Sequence, residues 1–516
     1  MEKLEGKVDA DDVEVEYDVV DLNRPYEIKS LDKSKNLRES VLSDIFTRLS
    51  NESDSKSRQE CLSDLRMFSR DKAGLDKLIT AERLARILDL GHLSEEDVEK
   101  GGYDESSIEV MKILCNLVYN SKKVQQDLPN TSCLRALVAR MKLRSSETSQ
   151  ELKLFDCRLV FLITAFNDAA RKSLRDLKGD CALIKVLAEI SKRCDGKETT
   201  CKADDIALCC EILKTLFNFY LIPEETESDP YEKSRNLVSI LYKLLVHNCT
   251  ENIDEILKNI ANLLIVVPFA SYKSIVPPPS KISKIVFQDL DMSAIAVLLD
   301  YFDRCLNSDE NLPPIICTFI RLVKVDKSIR KYLRLQILPP LKDVMTRPEE
   351  GTTLRAKLCK LLTRPVVQLE HLAAELLFIL CKQNSSRMIK YTGYGNAAGM
   401  FANKGLLGPA APEEMKYSSE SEESDTEEYE KMKDQINPVT GCYEHPKPCP
   451  LEGMSEEQKE YEAMQLVELM DKLTRSAIVQ PCRIGEDGKP KPIEHVLELQ
   501  EELAKQHFNH RESDSD

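Results

Sequence analysis

A chain of 516 residues that is 42% apolar and 31% charged has the material for a large buried core. Its 72 basic and 88 acidic side chains leave a net charge of −16, the wrong sign for life on phosphate backbones, so nucleic acid is not an expected partner. No apolar run approaches the ~18–20 residues of a membrane span, and the acidic start MEKLEGKVDADD lacks the basic and apolar stretches of a leader, so no membrane span and a cytoplasmic setting are expected.

After an acidic N-terminal segment (1–35), apolar residues from about residue 36 to 390 recur at helical spacing. In SIEVMKILCNLVYN they fall at Ile108, Met111, Leu114 or Cys115, and Val118, which makes one stripe on a helix. CRLVFLITAF, ALCCEILKTLFNFYL, ENIDEILKNIANLLIVV, ICTFIRLVKV and HLAAELLFILCK follow the same rhythm, and no Asn-Gly or Asp-Gly turn separates alternating runs. The expected class is all-α, with essentially no sheet.

The helices also repeat. Taking Arg66, Asn116, Thr164, Asn218, Asn262, Arg321 and Leu377 as anchors, successive steps run from 44 to 59 residues. Armadillo and HEAT units step by ~40–47 residues, and inserted loops account for the excess. A two- or three-helix unit cannot cover its own apolar face, so neighbours stack into a superhelix with a concave surface. A non-repeating helical bundle is the competing fold.

Arg66 and Arg70 lie four residues apart and share a helix face, as do Asn116 and Asn120, while Phe161 and Phe217 sit in corresponding helices. Taken singly, Asn and Arg also serve as braces between repeats and Phe as core. Taken together, they outline a groove with an aromatic floor and polar walls, suited to an extended peptide or a helix.

Catalysis finds no constellation: G-x-G-x-x-G, the P-loop, H-E-x-x-H and G-x-S-x-G are all absent. Most of the 17 cysteines stand singly in apolar runs, as small hydrophobes do in a reducing compartment. Cys442, His445 and Cys449 form a tight cluster without a nearby fourth ligand for zinc. No cofactor and no metal are expected.

Composition shifts after residue 390. YTGYGNAAGMFANKG is rich in Gly and Ala, too much so for a helix interior. Between Glu413 and Glu430 nine acids face one base, Lys416. Ser419 and Ser424 each precede a glutamate at the third position, the pattern an acid-directed kinase selects; the plainer reading is a solvated tether. INPVTG gives a turn, Ser455 with Gln458 makes a capping box before an amphipathic helix, and IEHVLELQEELAKQ reads as a further helix. The chain thus divides into the acidic segment 1–35, a repeat domain 36–400, an acidic phosphorylatable linker 401–452, a helical extension 453–508 and a disordered acidic tail 509–516.

HLAAELLFILCKQNSSRMIKYTGYGNAAG, the acidic block ending in EEY, INPVTG and EGMSEEQKEYEAMQLV, in this order and spacing, resemble the synembryns. The resemblance extends upstream through LRMFSRD, LCNLVYNS, RLVFLITAF, ILKTLFNF and LPPLKDVMTRPEEG. Within the last of these, Lys342 and Met345 stand where a more arginine-rich wall is expected, which leaves Arg347. The resemblance implies an armadillo/HEAT-like superhelix that binds GDP-loaded or nascent G-protein α subunits, releases GDP without a receptor, and chaperones the new subunit. It further implies that the concave face takes the Gα C-terminal helix through Arg66, Arg70, Asn116, Phe161, Phe217 and Arg347. Ser419 and Ser424 would be the regulatory phosphosites, and the cell cortex a second location beside the cytoplasm. The alternative is an armadillo-type adaptor or transport scaffold without exchange activity.

Overall fold

The computed structural model describes residues 35–51, 55–100, 103–143, 148–193, 202–221, 230–246, 253–281, 283–404, 426–445, 453–476, 482–484 and 490–492. Two compact units result: Met1–His92 with Tyr103–Asp127, and Leu93–Gly102 with Leu128–Asp516.

In the first unit, helix α1 (Ser55–Ser69) packs against helix α2 (Glu105–Asn120). Asp104 starts α2 with a capping box: its carboxylate accepts from the Ser107 amide at 3.0 Å, and Ser107 Oγ accepts in return from the Asp104 amide. From there the stripe Val110, Met111, Ile113, Leu114, Leu117 and Val118 is buried. At full burial each such side chain contributes roughly 1.5–3 kcal/mol against exposure. Ile108, at the start of the expected stripe, is half-buried.

The second unit is built from two rows of helices. The first row runs α3 (Gln150–Phe166), α4 (Ala203–Tyr220), α5 (Ile253–Val266), α6 (Leu312–Val325) and α7 (Val367–Leu380), each packed on the next. Beside it runs a second row, Cys133–Leu143, Gly179–Arg193, Pro230–Val246 and Ser293–Ser308, again neighbour on neighbour. A fully buried ion pair ties the rows together at one end, with Arg140 Nε donating to Asp156 at 2.8 Å. The repeat step is visible as hydrogen bonds between layers. Asn218 reaches the carbonyl of Phe161, 57 residues away, Thr318 that of Ala261, also 57, and Arg321 that of Val267, 54 away. This is a helical-repeat fold, as the 44–59-residue periodicity requires.

Strands among the described residues form three short antiparallel ladders. One, Val286–Phe287 with Leu290–Asp291, lies inside the range expected to be helical throughout. Its two turn residues, Gln288 and Asp289, carry positive φ of 49° and 58°. Such a turn matches strand twist but prefers Asn-Gly, which is why the sequence concealed it.

One further expectation is corrected. The Gly/Ala-rich run is helical, as Ser385–Thr392 and Tyr394–Asn403, hinged at Gly393 with φ +73°. Its small residues serve close packing: a Cβ on Gly399 would lie 2.8 Å from Glu370 Oε1 on α7. Part of the segment expected as a linker over 401–452 is described. Residues 426–445 lie on the second unit as a strap, with the Tyr443 amide donating to the Val344 carbonyl at 2.7 Å. The amides of Tyr394 and Gly395 donate to the Pro438 and Val439 carbonyls at 2.8 and 2.9 Å. The helix Glu456–Arg475 forms behind its Ser455 capping box, whereas Ser419, Ser424 and the run 493–506 lie outside the described residues.

Candidate functional site

The residues expected to line a groove fall in both units, Arg66, Arg70 and Asn116 in the first and Phe161, Phe217 and Arg347 in the second. In the first, α1 ends at Ser69, so Arg66 sits in its last turn and Arg70 just beyond it. Arg66 Nε lies 2.8 Å from Glu109 Oε2 on α2, and Lys112 Nζ lies 3.0 Å from the other carboxylate oxygen. Arg70 is exposed. The Asn116 amide donates to Ser69 Oγ at 2.9 Å and to the Arg66 carbonyl at 3.4 Å, and Asn120 donates to the Ser69 carbonyl at 3.0 Å. Both asparagines therefore close the end of α1, whose last carbonyls have no partner within the helix. Asn116 positions Arg66 while its own donors are engaged.

In the second unit, Phe161 on α3 and Phe217 on α4 are both half-buried. Beside Phe161 stands a charged cluster that sequence reasoning did not single out. Glu211 is 4% exposed and accepts from Arg158 Nη2 at 2.8 Å, with Lys214 Nζ 3.6 Å away. The Lys214 ammonium also lies 5.9 Å from the Phe161 ring centroid. One carboxylate thus holds two cations beside the aromatic floor, leaving a net positive edge. Arg158 and Lys214 follow the apolar stripe at three-residue offsets from Phe161 and Phe217, and this was the available signal. Phe166 and Leu221, at the C-terminal ends of the same two helices, are 43% and 40% exposed.

Further along, Arg321 donates to the Val267 carbonyl at 2.9 Å and to the Tyr272 hydroxyl at 2.8 Å, with its guanidinium 4.0 Å from the exposed Phe269 ring. Arg347 lies exposed in the irregular segment between Ile337 and Leu354, next to exposed Met345 and buried Pro348.

Half-buried aromatics accept an apolar side chain, and paired cations accept a carboxylate, as an amphipathic helix or peptide would offer. Burial pushes the thiols of Cys133, Cys210 and Cys359 up to about 12, so at neutral pH they stay protonated and un-nucleophilic. Among the described residues no three His, Cys, Asp or Glu side chains converge as metal ligands, and Cys442 is buried with its Sγ 3.4 Å from Thr440 Oγ1.

Comparison with known proteins now fixes the lineage. Residues 61–489 match the family model described as the guanine nucleotide exchange factor synembryn. "Chaperone Ric-8A" of Xenopus tropicalis is 37% identical over 484 residues, covering 88% of each chain. "Chaperone Ric-8" is 35% identical in Drosophila pseudoobscura pseudoobscura, over 88% of each chain, and 35% identical in Drosophila melanogaster, over 90% of this chain and 91% of that one. With a match that spans both units and the strap, the chain belongs to the synembryn family of guanine nucleotide exchange factors.

Proposed function

We propose that this chain is a receptor-independent exchange factor and folding chaperone for heterotrimeric G-protein α subunits, working in the cytoplasm and at the cell cortex without covalent chemistry of its own. Family membership over residues 61–489 carries the reading. Half-buried Phe161 and Phe217 with Arg158 and Lys214 in the second unit, and exposed Arg70 in the first, support it, because such side chains suit an amphipathic C-terminal helix. Arg66, Arg70, Asn116, Phe161, Phe217 and Arg347 are its contacts or their supports.

Exchange then follows from linkage. A partner that binds nucleotide-free Gα more tightly than GDP-bound Gα must weaken GDP binding by the same factor. GTP rebinding reverses the preference and expels the factor. No helix among the described residues is long and apolar enough to cross a membrane.

Ser419 and Ser424 are proposed as sites of an acid-directed kinase, whose phosphates add charge-assisted hydrogen bonds to basic residues such as those in KSIRKYLR and raise exchange. The deciding experiment measures GDP release from purified Gα with and without the full chain. Faster release supports exchange; unchanged release together with retained binding would leave an adaptor. Equal release rates for unmodified, kinase-treated and Ser419→Ala/Ser424→Ala protein would reduce the acidic block to a tether.

A further inference from the structure

The strap 426–445 is anchored unevenly. Its first elements, the helix Glu427–Met432 and the turn Lys433–Gln435, contain no buried residue. Thr426 secures them: its hydroxyl donates to the Leu341 carbonyl and accepts from the Tyr429 amide at 3.2 Å. Tyr429, Met432 and Ile436 rest half-buried against the core of the second unit, and Lys390 Nζ lies 4.1 Å from the Tyr429 ring centroid. Segments with few buried contacts open locally at small free-energy cost, so the strap peels from this end.

Tyr429 is also set in the sequence D-T-E-E-Y-E, with Asp425, Glu427, Glu428 and Glu430 around it. Tyrosine kinases that prefer acidic substrates select such surroundings. We propose that Tyr429 is a tyrosine phosphorylation site whose modification lifts the strap from the 338–348 segment. In the transfer, the phenol oxygen of the transiently opened strap attacks the γ-phosphorus of ATP. The bond from that phosphorus to the β-phosphate oxygen breaks, ADP leaves, and the phenolic proton passes to the kinase base.

The modified ring cannot return to its place. Phosphate brings about −1.5 to −2 charges to a position half withdrawn from water, beside three glutamates of the same short helix. Lys390 faces it from the body, Lys431 and Lys433 belong to the strap, and Lys433 is already paired with Glu430 at 2.9 Å. Turning the ring outward to hydrate the dianion removes the Lys390 contact and the apolar packing together. The carbonyls of Leu341 and Val344 then lose their donors from the strap, and the segment bearing Lys342, Met345 and Arg347 loses its tether. A resulting change in Gα binding rests on the proposed role of Arg347; the modification and the release do not.

The test uses the full chain, ATP and the catalytic domain of an acid-preferring tyrosine kinase, with mass spectrometry to locate phosphate and amide hydrogen exchange to follow the strap. Phosphate is expected at Tyr429, accompanied by about tenfold faster exchange at the Tyr443, Tyr394 and Gly395 amides. Tyr429→Phe should take no phosphate at that position and keep slow exchange. Gly441→Ala should open the strap without phosphate, because a Cβ there would lie 2.7 Å from Pro348 Cγ and 2.9 Å from Gly393 Cα. The proposal is overturned if Tyr429 stays unmodified even in Gly441→Ala, or if phosphorylated protein exchanges no faster than unmodified protein. Gα binding, measured on the same samples, reports separately on Arg347.

Discussion

Asn218 on α4 donates its side-chain amide to the carbonyl of Phe161 on α3 and to the hydroxyl of Thr164, both at 3.2 Å. The aromatic floor of one layer is therefore fixed by a buried brace in the next. Asn218 is 0% exposed, so truncation leaves the Thr164 hydroxyl and a carbonyl without that donor. Asn218→Ala should lower stability by about 1–3 kcal/mol, read as a shift in the urea midpoint at unchanged slope. A midpoint within error of wild type would show that water replaces the brace.

Arg66 and Arg70 lie at the end of α1, one paired with Glu109 and the other exposed. Replacing both with Glu should weaken Gα binding about tenfold or more while the circular-dichroism spectrum and melting temperature hold, since a partly exposed ion pair is worth ~1 kcal/mol or less. Glu109→Arg added to Arg66→Glu should restore the fold contact but not the binding. Unchanged affinity in a titration would make both arginines braces.

Asp291 supplies the pH dependence. It is 0% exposed and accepts from the Tyr242 hydroxyl at 2.6 Å, from the Ser293 amide at 2.8 Å and from Ser283 Oγ. Burial pushes its carboxyl up, but the hydrogen bonds from Ser283, Ser293 and Tyr242 outweigh it and hold the carboxyl below its usual range. A lowered carboxyl contributes stability above its unfolded value of about 3.9 and loses it as pH falls through the folded value. The stability difference between wild type and Asp291→Asn should therefore be constant from about pH 6 to 8 and shrink below about pH 4. A difference that grows on acidification would contradict the assignment.

The buried thiols give a fourth check. Cys133, Cys210 and Cys359, raised to about 12, should resist a thiol-specific disulfide reagent in native protein at neutral pH and react fully in denaturant. Fast native reaction at any of the three, located by mass spectrometry, would mean that its layer opens.

The fold was readable because its period is long-range and repeated: Ile113, Leu114 and Leu117 on α2 answer Leu159, Val160 and Ile163 on α3 in spacing and burial. Polar residues were harder. Asn116 stands out as a wall residue by type, yet its donors serve Ser69 and Arg66, and no local pattern distinguishes a brace from a contact. The hairpin at 286–291 was hidden because its turn pair is Gln288-Asp289 rather than Asn-Gly or Asp-Gly: Gln288 seldom takes positive φ, and the turn stands beside the hydrogen bonds gathered on Asp291. Glu211 was missed because a lone glutamate in an apolar run gives no sign that Arg158 lies 53 residues back and 2.8 Å away. The strap was hidden by its charge, since EEYEK has the composition of a tether and docks through a threonine, a tyrosine and backbone groups.

The neighbour-to-neighbour packing of α3 to α7 also has a mechanical meaning. Elements joined end to end behave as springs in series, so their compliances add while each joint strains little. A twist demanded at Arg321 is shared among the joints on either side, and the brace from Asn218 to Phe161 carries only its fraction. Such a body can follow a client through a large change of shape, from half-folded to nucleotide-loaded, without breaking any single layer.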